Sequence, residues 1–388
     1  MYFWIEITFI YIVYNMEFSR ILEQQILDSC FKGKAIIIYG ARQVWKTTLC
    51  KKLRWNKDGV LYVTWDDYSL VDFLRSPSLL TLQNWVKWYR IVIIDEAQKI
   101  AAIWNIIKMI VDNIPDVQVI ATWSSSFDLA NHIQEPLTWR SKTFHLHPLA
   151  LEEILWDIPA HQHLDVFKQR MIYWLYPRNV IDNNADDLFE LVNAYVYKDV
   201  FLYENLKKPD LILKLLQALS LQIWSEVSYN ELSQLLSADV KTIQKYITIL
   251  EQAFIIFRLP SYARNMRNEL KMGQKIYFWD VWVRNWLIRN VQPIDLRVDV
   301  WHIWENFVIA ERLKYLQNHN IPYNSFFRRT TSWSEIDYIE TDFWEILNAY
   351  EIKRSNKKNP AIPKSFIENY PNVKYNLINP QAFYTRIN

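Results

Sequence analysis

A nine-residue segment limits what this chain can fold into more than any other: Gly40-Ala41-Arg42-Gln43-Val44-Trp45-Lys46-Thr47-Thr48. With glycine in place of Trp45, it matches G-x-x-x-x-G-K-T, a loop whose backbone N–H groups surround phosphates. The segment lies between the apolar run 35–39 and a helical pattern over 47–53, as such a loop requires. Because the motif's second glycine lets backbone approach phosphate without an intervening Cβ, an indole at position 45 is expected to fill that space.

Glycine is scarce and tryptophan abundant throughout the chain. There are four glycines and 19 tryptophans, whereas average usage predicts about 27 glycines. We hypothesise that a UGA codon, which some bacterial lineages translate as glycine, has been assigned to tryptophan. A naturally tryptophan-rich protein and deliberate substitution are the alternatives. Mass spectrometry of the peptide around position 45, taken from the native protein, tests this hypothesis. Tryptophan at that position would contradict it. The suspected positions lie mainly in turn contexts: Trp45, Trp123, Trp139, Trp174, Trp224 and Trp333. Trp304 is instead expected to be a core aromatic residue.

Length and composition indicate a globular protein. The 388 residues are enough for two or three domains, and 51 % are hydrophobic. The net charge of +2 excludes a globally basic chain, so any surface for nucleic acid must be local. Only Cys30 and Cys50 are present, which excludes a disulfide framework and favours the reducing cytoplasm.

Residues 1–15 are aromatic and aliphatic with one charge, Glu6. They lack the basic start and cleavage site of a signal peptide. They are also shorter than the roughly 20 apolar residues of a membrane span. We therefore predict no membrane span and interpret 1–15 as an extension before Met16. A peripheral membrane anchor is the alternative.

The N-terminal part alternates between strand and helix patterns. Short apolar runs at 35–39, 91–94 and 117–122 are typical of strands buried on both faces of a parallel sheet. Helical patterns at 47–53 and 104–113 separate them. This alternation predicts an α/β three-layer domain.

Two acidic residues follow the second apolar run. Asp95 at a strand end could hold Mg²⁺ with Thr47, while Lys46 neutralises the β- and γ-phosphates of ATP. Glu96 could activate the attacking water as a general base. The alternative is that Asp95 and Glu96 only cap the next helix.

Two further polar positions could act on phosphate. Ser124 or Ser125, after the third strand, could contact the γ-phosphate, unless this is a plain strand-end turn. Arg140 could supply positive charge to the transferring phosphoryl group, in cis or from a neighbouring subunit, which would require self-association. A solvated surface arginine is the alternative.

Residues 228–236 and 240–253 predict two helices joined by a short turn, followed by a strand at 255–257. This spacing fits a winged helix-turn-helix, with Lys241, Gln244 and Lys245 exposed on the second helix. DNA contact and protein packing are the two interpretations of this module.

Near the C-terminus, 335–339 and 349–353 alternate like strands. Period two places Glu351 and Lys353 on one face, with Asp337 on an adjacent strand. Two carboxylates and a lysine suit Mg²⁺-assisted phosphodiester hydrolysis. Asp337 with Glu351-x-Lys353 resembles the PD-(D/E)xK nuclease signature, with Glu305 as a further ligand. A structural ion pair or a chance match is the alternative.

These motifs together resemble bacterial and archaeal AAA-type ATPases that carry a C-terminal nuclease-like domain. The resemblance extends from Met16 onward and rests on segments 40–48, 93–98, 121–126, 226–232, 275–280, 304–308 and 335–337. That family has glycine where this chain has Trp45, Trp123, Trp139, Trp224 and Trp282. The resemblance implies ATP binding and hydrolysis.

The resulting prediction is an α/β P-loop domain of AAA type, then a winged helix and a PD-(D/E)xK-like α/β domain. Its boundaries are 16–155 for ATP binding, 156–205 for a helical connector, 206–270 for the winged helix and 271–388 for the nuclease-like domain. The expected function is a Mg²⁺-dependent ATPase coupled to the C-terminal module, on DNA or without it. The alternatives are a nucleotide-independent DNA-binding or interaction protein and a metal-dependent DNase.

Overall fold

The computed structural model describes residues 18–55, 59–75, 77–100, 102–124, 137–182, 208–262, 273–329, 335–342, 345–353, 366, 368, 370–380 and 383. They belong to two compact units. The first comprises the described residues of Met1–Leu149, Tyr176–Asn183 and Gln252–Phe254, and the second those of Ala150–Leu175, Asn184–Glu251 and Ile255–Asn388. Several sequence predictions lie outside the described residues: 1–15, Met16, Ser125, connector residues 183–205 and Trp333.

The first unit contains a five-stranded parallel sheet in the order β2-β3-β4-β1-β5. The strands are β1 Ala35–Tyr39, β2 Val60–Thr64, β3 Ile91–Asp95, β4 Gln118–Trp123 and β5 Ser141–His145. The three predicted strands are the central ones, and all their residues are buried. Sequence patterns missed β2 and β5, the edge strands, because only part of each is buried.

Helices of the first unit connect the strands as the sequence patterns indicated. They are α1 Leu22–Ser29, α2 Lys46–Trp55, α3 Tyr68–Phe73, α4 Leu79–Val86 and α5 Ile103–Asn113. The predicted helices at 47–53 and 104–113 lie within α2 and α5. In α5, Ile103, Ile106, Ile107 and Ile110 are buried, and their spacing of three or four residues forms one apolar face. The predicted α/β alternation is confirmed.

The suspected tryptophans differ in their backbone and burial. Trp45 and Trp139 have φ of 68° and 67°, in the left-handed region that favours glycine. At most 1 % of the surface of Trp123 and of Trp282 is exposed. The Trp123 indole stacks on Trp104 with ring centroids 4.2 Å apart. A conformational reason for glycine therefore applies at positions 45 and 139.

Trp139→Gly is expected to raise the free energy of unfolding by about 1 kcal/mol, because the left-handed backbone costs a side-chain-bearing residue about 1–2 kcal/mol. Trp139 is 86 % exposed, so little packing is lost with its indole. Urea unfolding measures the change. Trp88→Gly is the matched control, because Trp88 is 78 % exposed in the same unit and is not left-handed. An equal change in both variants would contradict the backbone explanation.

The second unit begins with α6 Leu151–Leu155 and α7 His163–Arg170, whereas α8 Pro177–Asp182 belongs to the first. The helices that follow are α9 Pro209–Leu221, α10 Tyr229–Leu235, α11 Val240–Gln252, α12 Val281–Leu287 and α13 Val300–Asn318. The two helices predicted across a short turn are α10 and α11. Ser228 and Asp239 accept hydrogen bonds from backbone N–H groups in their first turns.

The strands of the second unit form a hairpin and a four-stranded sheet. The hairpin pairs β6 Ile256–Pro260 with β7 Gln274–Phe278 in antiparallel fashion. The sheet has the order β11-β10-β9-β8, with β8 Asn324–Arg329, β9 Glu335–Thr341, β10 Ile346–Ile352 and β11 Lys374–Ile378. β10 pairs antiparallel with β9 and parallel with β11. The two strands predicted from alternation near the C-terminus are therefore neighbours, β9 and β10.

Trp304 lies in an aromatic core of the second unit. It is 1 % exposed, and its ring meets those of Phe167 and Phe383 edge-on at 5.4 and 5.5 Å. Its prediction as a core residue is confirmed.

Throughout the described part of the chain, no helix combines the length and apolar character needed to cross a membrane.

Candidate nucleotide and metal sites

The phosphate loop joins the carboxyl end of β1 to the start of α2. Gly40 is required at its first position, because a Cβ there would lie 2.1 Å from the Leu146 carbonyl oxygen. Gln43 and Trp45 are both left-handed, with φ of 63° and 68°. Left-handed residues in such loops help to turn successive N–H groups toward an anion. Of the other predicted loop residues, Val44 is buried, Arg42 and Thr47 are half-buried, and Thr48 is exposed.

The Trp45 indole lies beside the aromatic ring of Phe18, with centroids 6.2 Å apart. Trp45 is half-buried rather than enclosed. The backbone at this position thus has the conformation of the motif's glycine, while the residue still carries a side chain. This combination keeps the loop's shape at a cost in backbone energy.

Lys46 is folded back onto the loop. Its ammonium donates hydrogen bonds to the carbonyl oxygens of Gly40 at 2.9 Å and Ala41 at 2.7 Å. Only 5 % of Lys46 is exposed. The positive charge therefore lies at the loop where phosphates are expected.

Arg20 also supports the loop, and sequence patterns did not single it out. The guanidinium is buried and donates to the carbonyl oxygens of Val44 at 3.0 Å and His147 at 2.8 Å. Because it ties the loop to the segment after β5, Arg20 is a positioning residue. Arg20 precedes α1, and its contact with the loop is evident only once the fold is known.

Asp95 lies at the carboxyl end of β3 and accepts three hydroxyl hydrogen bonds. Thr47 and Tyr62 donate to Oδ2 at 2.7 and 2.6 Å, and Thr122 donates to Oδ1 at 2.6 Å. The structure thus brings Thr47 and Asp95 together, as the motif predicted. Tyr62 and Thr122 were missed. Thr122, a polar residue in the apolar run of β4, was the available indication.

Glu96 follows Asp95 in a left-handed conformation, with φ of 53°. Its backbone N–H donates to the Thr122 hydroxyl at 2.9 Å. One carboxylate oxygen accepts from the Ser124 hydroxyl, and the other accepts from the Gln98 amide at 2.7 Å. Ser124 and Glu96 are therefore in direct contact at the end of the central strands.

The structure corrects the prediction for Arg140 in cis. Its carbonyl accepts from the N–H of Ala35, the first residue of β1, whereas the phosphate loop follows the last residue, Tyr39. Five strand residues at about 3.3 Å each separate the two ends. The Arg140 guanidinium pairs with Asp112 at 2.6 Å. All strands of this sheet run in the same direction. Arg140 therefore lies at the amino ends of the strands, whereas the phosphate loop lies at their carboxyl ends.

Asp337, Glu351 and Glu305 approach one another in the second unit. Removal from water and the nearby charges of Glu305 and Glu351 raise the pKa of Asp337 to about 8. The backbone N–H of Ile352 donates to Asp337 at 2.7 Å, an interaction that opposes this rise. Asp337 on β9 and Glu351 on β10 come from neighbouring strands, whereas Glu305 comes from α13.

Lys353 and Tyr375 both contact Glu351. The Lys353 ammonium lies 2.6 Å from one carboxylate oxygen, and the Tyr375 hydroxyl donates to the other at 3.1 Å. Although burial alone would lower the pKa of Lys353, the hydrogen bond and charge of Glu351 raise it. Glu351 and Lys353, which period two assigned to one face, form an ion pair, and the Tyr375 contact is one that sequence patterns did not indicate.

Glu305 is held by two donors from β7. The Lys275 ammonium lies 3.0 Å from Glu305 Oε1, and the Tyr277 hydroxyl donates to the same oxygen at 2.5 Å. Lys275 also pairs with Glu335 at 2.6 Å. Among the residues that the structure describes, no three His, Cys, Asp or Glu side chains are arranged to hold a metal ion together.

The second helix of the predicted DNA-contact module exposes the expected residues. Lys241, Gln244 and Lys245 are all exposed on α11, while Ile243 and Ile247 are buried on its other face. The exposed face therefore carries two positive charges, and the acidic residue Asp239 directly precedes the helix. This is a modest local positive charge.

Comparison with protein families assigns three segments. Residues 32–155 match the model of an AAA domain. Residues 164–293 and 302–386 match two domains of unknown function, DUF8612 and DUF4143. The first unit therefore carries a P-loop ATPase-type domain. The other two matches name no activity.

The solved structures that match this chain have low sequence identity to it. A Walker-type ATPase of Pyrococcus abyssi is 14 % identical, with a TM-score of 0.49 over 70 % of this chain and 96 % of that one. A Drosophila ORC structure bound to AT-rich DNA and Cdc6 is 10 % identical, with a TM-score of 0.27 over 69 % and 90 %. The Pif1 helicase of Candida albicans is 12 % identical, with a TM-score of 0.25 over 66 % and 61 %. No curated protein matches the chain. Because these TM-scores are below 0.5, the assignment rests on the family model.

Proposed function

We propose that the chain is a Mg²⁺-dependent ATPase. The observation that carries this proposal is the 2.7 Å hydrogen bond between Thr47 of the phosphate loop and Asp95 at the end of β3. A hydroxyl and a carboxylate in contact beside a phosphate loop are the oxygen ligands that Mg²⁺ takes in nucleotide sites. The donor set therefore fits Mg²⁺ with ATP.

The residues divide the work of binding. Lys46 would pair with the β- and γ-phosphates of ATP, and Thr47 and Asp95 would hold Mg²⁺. When bound, Mg²⁺ supplies positive charge to the phosphate oxygens as charge develops on them. Tyr62 and Thr122 keep the Asp95 carboxylate in one orientation.

Glu96 accepts the proton of the attacking water. Ser124 hydrogen-bonds Glu96, so its hydroxyl contacts the proposed general base directly. Ser124 can therefore orient Glu96 before hydrolysis and contact phosphate during it. General-base catalysis of this kind contributes about 10²–10⁴-fold in rate.

Lys46→Ala is expected to lower ATP hydrolysis by about 10²–10³-fold, because one preorganised positive group is lost at the reacting phosphates. Phosphate release with Mg²⁺ and ATP is measured in the Trp45→Gly chain, so that the indole does not limit binding. Lys51→Ala is the control, since Lys51 is an exposed lysine of the same helix. Equal phosphate release from the Lys46→Ala chain and its parent would show that the proposed site is not the ATPase site.

We further propose that nucleotide turnover is coupled to DNA retention through α11 in a winged helix-turn-helix. Its support is the order of the segments along the chain and the exposure of Lys241, Gln244 and Lys245. Retention of duplex DNA is compared with ATP, with ADP and without nucleotide. DNA retention that ignores nucleotide would favour the binding-protein alternative, and no retention would remove DNA as a partner.

A metal-dependent phosphodiesterase is the second candidate function, and the nearness of Glu305, Asp337 and Glu351 favours it. These carboxylates fit a divalent cation by their oxygen chemistry. The cation would supply charge to a phosphodiester, and Lys353 adds a second positive group beside Glu351. This arrangement is the basis for proposing a PD-(D/E)xK-like domain.

Glu351→Gln is expected to lower Mg²⁺-dependent nicking of plasmid DNA by about 10²-fold or more, because a charged metal ligand is lost. Glu345→Gln is the control, since Glu345 is exposed at the turn that precedes β10. Nicking that is unchanged in the Glu351→Gln chain would assign the activity elsewhere.

A further inference from the structure

Lys275 is a buried ammonium placed among the carboxylates of the second unit. It comes from β7, a strand of the hairpin, and is 2 % exposed. Its ammonium lies 3.0 Å from Glu305 and 2.6 Å from Glu335. The two proposed functions assign it no task.

The position of Lys275 is one that a metal ion would also favour. A buried cation is stable only where carboxylates compensate its lost hydration. Here a single ammonium shares two carboxylates from different elements, and Asp337 lies close enough to act on its charge. A divalent cation would find the same oxygen atoms and carry twice the charge.

Glu305 Oε1 is an oxygen for which a metal ion would compete with hydrogen-bond donors of the protein. That oxygen accepts from both the Lys275 ammonium and the Tyr277 hydroxyl. A metal ion can bind this oxygen only after at least one of these donors has moved. Glu305 Oε1 is therefore already engaged by two donors from β7.

We propose that Lys275 is an internal counter-ion of the acidic site formed by Glu305, Asp337 and Glu351, and that it stays there until a divalent cation displaces its ammonium from Glu305. This inference rests on the proposed phosphodiesterase site and adds its regulation. The site then has two states, one held closed by Lys275 and one holding metal. Metal binds only the fraction of the protein in which Lys275 has withdrawn. Because that fraction is small, the apparent affinity for metal is lower than the affinity of the open state.

The test is Mn²⁺ binding without nucleotide, followed by the electron paramagnetic resonance signal of free Mn²⁺. Lys275→Met keeps a long apolar side chain but removes the competing charge. We expect it to bind Mn²⁺ about ten-fold more tightly or better than the parent, because the counter-ion no longer has to leave. We also expect Mn²⁺ to raise its melting temperature more than that of the parent.

Lys314→Met is the matched control. Lys314 is fully buried in the same unit and pairs with Glu311, outside the acidic site. Its replacement removes a buried lysine of equal chemistry and should leave Mn²⁺ affinity unchanged. An equal gain in affinity for Lys314→Met would contradict a specific role for Lys275.

A double variant covers the case in which Lys275→Met leaves too much uncompensated negative charge to fold. Lys275→Met with Glu305→Gln restores the charge balance, so we expect it to fold without Mn²⁺ and to show no gain in affinity. If Lys275→Met alone stays unfolded at every Mn²⁺ concentration while the double variant folds, Lys275 is a structural ion-pair residue and the proposal is wrong.

The remaining outcomes separate this inference from the site on which it rests. Equal Mn²⁺ binding by the parent and Lys275→Met would overturn the counter-ion role but leave the metal site in place. Absence of Mn²⁺ binding in both would overturn the metal site and the counter-ion role together.

Discussion

Trp45→Gly is expected to raise the affinity for ATP by about ten-fold or more, because each charge-assisted hydrogen bond recovered between the loop and phosphate contributes about 1.5–3 kcal/mol. The backbone at position 45 already has φ of 68°. Glycine takes this conformation without strain and leaves the loop's N–H groups accessible. Isothermal titration with ATP and Mg²⁺ measures the change.

Two variants separate the causes of this gain. Trp45→Ala removes the indole but keeps a Cβ in the left-handed conformation, so its affinity should lie between those of the parent and the glycine variant. Trp139→Gly relieves a similar backbone conformation at the far edge of the sheet and should not change ATP affinity. If the parent and Trp45→Gly bind ATP equally well, the indole does not obstruct the loop.

Glu96→Gln is expected to lower ATP hydrolysis by about 10²–10⁴-fold while ATP binding is retained. The amide keeps the size of the side chain and one acceptor oxygen, but it cannot take a proton from water. Thr47 and Asp95, the proposed Mg²⁺ ligands, are unchanged. Phosphate release and ATP affinity are both measured in the Trp45→Gly chain.

Glu23→Gln is the control for this experiment. Glu23 belongs to the same unit and pairs with Lys52 at 3.0 Å, so its loss should change neither binding nor hydrolysis. Unchanged hydrolysis in Glu96→Gln would show that another group activates the water. A parallel loss of ATP affinity would instead make Glu96 a binding residue.

Local sequence patterns were sufficient for the central elements of the first unit. The apolar runs correspond to β1, β3 and β4 because all three strands are buried along their whole length. The edge strands β2 and β5 were missed because only one residue of each is fully buried, so neither forms a continuous buried apolar run. Tyr62 lies on β2, so missing that strand also meant missing a hydrogen-bond donor to Asp95.

Arg140 shows how a sequence argument fails without topology. It was predicted to supply positive charge to the phosphoryl group, but a further parallel strand begins directly after it, at Ser141. The chain therefore returns to the amino ends of the strands before it reaches Arg140. Chain order records how many residues separate two groups, whereas strand direction decides at which end of the sheet they lie.

By itself, the sequence determined the phosphate loop, the acidic pair Asp95 and Glu96, and the alternation of buried strands with helices. These features depend on residues close together in the chain, where periodicity and motif spacing act directly. Only the tertiary structure decided that Thr122 and Tyr62 hydrogen-bond Asp95 and that Lys275 pairs with Glu305 and Glu335. Those contacts join residues 27 to 60 positions apart, and packing of strands and helices, not local pattern, brings such residues together.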